Sequence, residues 1–104
     1  MKKYTVITGA SSGIGYESAL AFAARGKNLI IVARRTEELE KLKSEIGKLN
    51  SDLDVVIKTA DLSIVKNAYN LYEGLKEYDI ETWINNAGFG NFASVGEQNL
   101  EKIF

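Results

Sequence analysis

The chain contains no cysteine and no histidine. Without cysteine there is no disulfide and no thiolate metal site. Without histidine the commonest metal ligand and the usual proton-transfer side chain are also gone. An excess of one charge is lacking too: 13 Lys and Arg against 14 Asp and Glu leave a formal net charge of -1, which argues against a nucleic-acid face driven by bulk charge. No apolar run is long enough to cross a membrane. The basic start, Met1-Lys2-Lys3, is followed by a short apolar run that breaks at Gly9, too soon for a secretory leader. These absences give the expectation of a cytoplasmic protein, and 104 residues suffice for one small domain with a modest core.

What is present is concentrated in one stretch, Thr8-Gly9-Ala10-Ser11-Ser12-Gly13-Ile14-Gly15. It follows an apolar run, Tyr4 to Thr8, that reads as a strand, and it opens a segment, Ile14 to Arg25, that reads as a helix. The first turn of a helix carries unpaired N–H groups and a partial positive charge, so it suits a phosphate. The glycines stand as G-x-x-x-G-x-G rather than the commoner dinucleotide pattern G-x-G-x-x-G. The physical demands can still be met: Gly9 for the turn, Gly13 for close approach of a phosphate, Gly15 for close packing of the helix. No lysine follows Gly13 or Gly15, so the loop is not built for γ-phosphate transfer. An ordinary strand-to-helix turn is the bland alternative, and three glycines interleaved with hydroxyls weigh against it.

Further along, Asn28 to Ala33 reads as a strand, and its Leu29, Ile30, Ile31 and Val32 are a continuous apolar run, as expected for a strand buried on both faces. Gly26 is positioned to stop the helix before it. A second helix is expected after Thr36 as N-cap, with Leu39, Leu42, Ile46 and Leu49 as its apolar stripe. A third strand is expected over Leu53 to Thr59. A third helix follows Ser63 as N-cap, with Ile64, Val65, Ala68, Leu71, Tyr72 and Leu75 on its apolar side. A fourth strand is expected over Glu81 to Asn85. A glycine-rich loop, Ala87 to Gly96, and a helix beginning near Asn99 or Leu100 complete the chain. This alternation implies an α/β protein with a parallel sheet and right-handed crossovers.

Three more sites carry chemistry at the carboxyl ends of these strands, the edge where such sheets bind ligands. Arg34 and Arg35 follow the second strand, where an adenosine ribose would lie. An acidic residue there would accept from a 2′-hydroxyl, whereas arginine can pair with a 2′-phosphate. The alternative is a solvated basic pair making surface ion pairs with the acidic helix that follows. Asp61, before Leu62, can accept from an adenine amino group, or it can serve as a turn acid before Ser63. Asn85-Asn86-Ala87-Gly88 can fix a loop and leave room for a sugar, or can simply turn.

Together, Thr8-Gly-Ala-Ser-Ser-Gly-Ile-Gly15, Ala33-Arg34-Arg35, Asp61-Leu62 and Asn85-Asn-Ala-Gly88, in this order and spacing, resemble the classical short-chain dehydrogenase/reductase family over the whole chain. The resemblance implies a three-layer Rossmann-type sheet, here a truncated four-stranded half with strand order 3-2-1-4, and residues 1–104 as an NADP-binding domain. It implies that Gly9, Ser11, Ser12, Gly13, Ile14 and Gly15 hold the pyrophosphate. Arg34, with Arg35 beside it, implies NADP rather than NAD, since Ala33 stands where an NAD-specific aspartate would be. Asp61 and Leu62 would flank the adenine, and Asn85, Ala87 and Gly88 the ribose and nicotinamide side. The implied reaction is hydride transfer between NADP(H) and a small-molecule carbonyl or secondary alcohol.

The family's catalytic serine and Tyr-x-x-x-Lys lie beyond the fourth strand, so no catalytic residue and no metal ligand is assigned, and the chain by itself is expected to be inactive. Tyr72-Glu-Gly-Leu-Lys76 matches that pattern literally, but it precedes the fourth strand and reads as a core tyrosine with a surface lysine. Trp83, Phe89 and Phe92 read as core and loop anchors. A non-catalytic nucleotide-binding or interaction module, complete at this length, is the alternative function. With order 3-2-1-4 the fourth strand is an open edge without lysine or proline over Glu81 to Asn85, so self-association is expected, as a two-fold dimer pairing that strand with its mate.

Overall fold

The computed structural model describes residues 2–11 and 13–86. The elements are β1 (Lys3–Thr8), α1 (Gly13–Ala24), β2 (Asn28–Ala33), α2 (Thr36–Leu49), β3 (Val55–Thr59), α3 (Val65–Leu75) and β4 (Asp79–Asn85). All strand pairs are parallel, and the sheet order is β3-β2-β1-β4. The expected loop from Ala87 to Gly96 and the helix near Asn99 lie outside the described residues.

β2 sits inside the sheet and shows why its sequence is apolar from Leu29 to Ala33. Leu29, Ile31 and Ala33 join one core cluster, with Ala19 and Ala23 of α1 and Leu39, Leu42 and Ile46 of α2. Ile30 and Val32 join the other, with Ala68, Leu71 and Leu75 of α3 and with Tyr4, Val6 and Trp83. Successive side chains of a strand point to opposite faces, so a strand covered on both sides must be apolar at every position. The result is three layers, with α1 and α2 on one face and α3 on the other. Each fully buried leucine or isoleucine contributes about 1.5–3 kcal/mol relative to exposure.

Several boundaries and caps differ from the sequence reading. α2 includes Thr36 as its first residue, and the cap position is Arg35, whose side chain makes no capping bond. The Thr36 hydroxyl is instead 2.8 Å from that of Thr59. α3 begins at Val65 after Ile64, again without a side-chain cap. Ser63 does not cap it, because its N–H and its hydroxyl both donate to Oδ1 of Asp61, at 3.0 and 2.6 Å. Leu49 is 55% exposed, since the buried stripe of α2 ends at Ile46. Ile64 and Val65 are also exposed, and with Tyr69 they leave one flank of α3 apolar and open.

β4 starts two residues earlier than expected, at Asp79, and carries an irregularity. Its register with β1 runs Tyr4↔Ile80 and then Thr5↔Thr82, so Glu81 is an extra residue. Such a bulge resets which face each side chain meets. It allows Ile80 and Trp83 both to pack on the α3 side. β4 is an edge of the described sheet, as the sequence suggested.

Candidate functional site

The strand order reverses between β1 and β4, and a groove of about 500 Å³ opens at the carboxyl ends of the strands. Its walls come from the β1–α1 turn (Gly9, Ser11, Ile14, Gly15), the end of β2 (Val32, Ala33, Arg34), the end of β3 (Ala60 to Ser63) and Asn86 after β4.

The β1–α1 turn is built on backbone freedom. Gly9 and Gly13 adopt φ of +64° and +57°, the left-handed region that a Cβ disfavours. Gly15 has a different role. A Cβ there would lie 2.1 Å from the Gly9 carbonyl oxygen, so α1 packs against the turn only because that Cβ is missing. Ala10 N–H is already used, donating to Val32 O at 3.0 Å. The first turn of α1 carries no acidic side chain, so nothing offsets its positive end. Ile14 is 75% exposed at the mouth of the groove.

The two arginines diverge. Arg34 lines the groove. Arg35 is absent from its walls and pairs with Glu38 at 3.8 Å along α2. Asp61 lines the groove while closing its own turn through Oδ1. The two bonds from Ser63, helped by the charge of Arg34, hold its carboxyl below the usual carboxylate range. Leu62 is buried and reaches the α3-side core.

Asn85 lies outside the groove wall. Its side-chain carbonyl accepts from the Thr8 hydroxyl at 2.8 Å, and the same Thr8 oxygen accepts from Asn86 N–H at 3.1 Å. Thr8 therefore fastens the end of β1 to the end of β4. Asn86 lines the groove, and its amide Nδ2 is buried without a partner among the described residues. A buried unpaired donor is costly unless a ligand or water satisfies it. Of the residues expected from sequence, Gly9, Ser11, Ile14, Gly15, Arg34, Asp61 and Leu62 meet in the groove. Gly13 supports its rim, and Arg35 and Asn85 stand apart. Ser12, Ala87 and Gly88 lie outside the described residues. Thr8 and Asn86 belong to motifs evident in the sequence, but their roles depend on the β1–β4 register.

Tyr72 does not line the groove. Its half-buried ring stacks on Trp83 with centroids 5.0 Å apart, and burial pushes its hydroxyl pKa up. Lys76 pairs with Glu73 at 2.9 Å on the surface. Trp83 is in the core, as expected, and Phe89 and Phe92 lie outside the described residues. No described helix is long and apolar enough to cross a membrane.

Comparison with known proteins places this geometry among the short-chain dehydrogenases. The family described as short chain dehydrogenase matches residues 3–104. A very-long-chain 3-oxoacyl-CoA reductase of Vanderwaltozyma polyspora is 38% identical, over 96% of this chain and 30% of its own length. The bulky-bulky ketone specific alcohol dehydrogenase of Comamonas testosteroni superposes with a TM-score of 0.76 at 36% identity, over 86% of this chain and 37% of that one. A short-chain dehydrogenase of Sphingobium yanoikuyae, solved in complex with NADPH, superposes with a TM-score of 0.75 at 38% identity, over 83% of this chain and 34% of that one. The chain spans about a third of the length of the curated relatives it matches.

Proposed function

Because the chain belongs to the short-chain dehydrogenase family, we propose that it is the cofactor-binding part of an oxidoreductase that takes NADP(H) and acts on a small-molecule carbonyl or secondary alcohol. The observation that carries the cofactor choice is Arg34: it lines the groove directly after Ala33, the buried last residue of β2, and no carboxylate occupies that strand end. The residues fit a dinucleotide. The glycine turn and the first amides of α1 receive the pyrophosphate, and Arg34 pairs with the 2′-phosphate. Asp61 accepts from the adenine amino group beside Leu62, and the orphaned Nδ2 of Asn86 donates toward the ribose and nicotinamide side. When bound, the cofactor supplies the hydride; the protein binds and orients it.

Residues 1–104 would act as one binding domain, in the cytoplasm, and turn nothing over without the rest of the family's catalytic set. Titration of the protein with NADP+ and NAD+ tests the reading. NADP+ is expected to bind roughly ten- to a hundredfold more tightly, the worth of about 1.5–3 kcal/mol for a charge-assisted bond. Arg34→Asp is expected to erase that preference. Equal affinities in the unaltered chain would refute it.

The same reading includes self-association. The open edge of β4 and the apolar flank of α3 at Val65 and Tyr69 support it, since unpaired strand edges recruit partners. Sedimentation at micromolar concentration is expected to give a dimer, and a monodisperse monomer would count against it.

A further inference from the structure

We propose that the paired hydroxyls of Thr36 and Thr59 are a positioning latch that presents Arg34, and not Arg35, to the groove. The proposal rests on the NADP reading above and adds to it two residues that do not line the groove. β2 and β3 stay in register to their last residues, Ala33↔Thr59. Just beyond, Ala60 N–H donates to the Ala33 carbonyl at 2.9 Å. Three residues past Ala33, the Thr36 hydroxyl meets that of Thr59 at 2.8 Å. The short link between β2 and α2, which is Arg34 and Arg35 alone, is thus fastened to β3 at both ends.

A link of two residues held at both ends has little freedom to exchange which side chain faces inward. Arg35 is drawn along the helix to Glu38, and Arg34 is left on the groove wall beside Ala60 and Asp61. Thr36 could have served as a helix cap, the usual use of a threonine here, yet the cap position is Arg35 and carries no side-chain bond. Its hydroxyl is committed to β3 instead. The latch therefore acts on the choice between cofactors: it places the guanidinium where a 2′-phosphate would be, a group that NAD lacks.

The test is titration of Thr36→Val and Thr59→Val with NADP+ and NAD+. Both positions are exposed, and valine keeps the shape of threonine while removing the hydroxyl. The ratio of NADP+ to NAD+ affinity is expected to fall about three- to tenfold, the factor one such hydrogen bond supports, with NAD+ affinity changed less than about twofold. Thr59→Ser, which keeps the hydroxyl, is expected to restore the ratio. An unchanged ratio, or equal loss of both cofactors, would overturn the latch. If the unaltered chain shows no NADP+ preference, the Arg34 reading falls, and the latch is then judged without cofactor. Faster amide exchange at Ala60 in Thr59→Val, reversed in Thr59→Ser, supports it; unchanged exchange overturns it.

Discussion

The two ends of the sheet are built on opposite principles. At the carboxyl end, small residues and glycines expose backbone, Arg34 is exposed and the Asn86 amide has no partner among the described residues. At the amino end, side chains satisfy one another. The Tyr4 hydroxyl of β1 donates to the Asp54 carboxylate just before β3. Asp54 N–H donates to the Asn28 side-chain carbonyl of β2 at 2.9 Å, and Asn28 Nδ2 reaches Lys3 O at 3.4 Å. Tyr78 meets the Tyr4 ring edge-on with centroids 5.1 Å apart. One end leaves polar capacity open for a ligand, and the other spends it on holding three strands together. Substitutions at the first end should therefore act on binding, and substitutions at the second on stability alone.

Gly15→Ala is the strongest way to break that contrast, because Gly15 belongs to the binding end and is structural as well. The added Cβ would meet the Gly9 carbonyl at 2.1 Å and its carbon at 2.8 Å, both backbone atoms. The turn or the helix must move. The expected cost is about 3 kcal/mol, at the upper end for overpacking, together with loss of cofactor binding. Gly47→Ala in α2 is the matched control: its Cβ meets open space, and a helix-interior alanine is expected to stabilise by about 0.5–1 kcal/mol. Urea unfolding of both variants checks the pair, and equal midpoints would show that the close approach at Gly15 carries no energy.

The contrast between the ends also explains what the sequence revealed. The glycine turn, the apolar run of β2 and the helix stop at Gly26, whose φ is +79°, are local features, and local spacing exposes them. The groove follows from them because all strands run the same way. The Thr36–Thr59 pair joins residues 23 apart and the Tyr4–Asp54 bond residues 50 apart, so neither leaves a local pattern. Arg34 and Arg35 are identical in type and adjacent; the sequence offers an acidic helix that could pair with either, and only the structure shows Arg35 on Glu38 and Arg34 on the groove wall. The bulge at Glu81 was hidden because an extra strand residue has no signature of its own. The cap expected at Thr36 failed for this reason, its hydroxyl having met Thr59; that at Ser63 failed for a local one, the competing turn with Asp61 two residues earlier.

Tyr4→Phe sharpens the comparison from the other end, with a smaller expected effect than Gly15→Ala. The ring is 7% exposed and stays in place as phenylalanine, so the variant removes one hydrogen bond and little else. A bond to a charged acceptor contributes about 1.5–3 kcal/mol when buried. Asp54 is 38% exposed and also 3.9 Å from Lys2 Nζ, which screens it, so a loss of about 1–2 kcal/mol is expected. The bond to Asp54, then burial, pushes the Tyr4 hydroxyl up to about 12 from its ordinary value of 10.0. A folded-state pKa above the unfolded one means that the stabilisation is complete below pH 10. It declines as pH rises, and it is gone once the folded hydroxyl ionises near pH 12. The difference between the unaltered chain and Tyr4→Phe should therefore be constant from pH 7 to about 9.5 and shrink above pH 10, read from urea midpoints across that range. Cofactor affinity should be the same in both proteins. A Tyr4→Phe chain that loses cofactor with its fold intact would break the division of labour between the two ends.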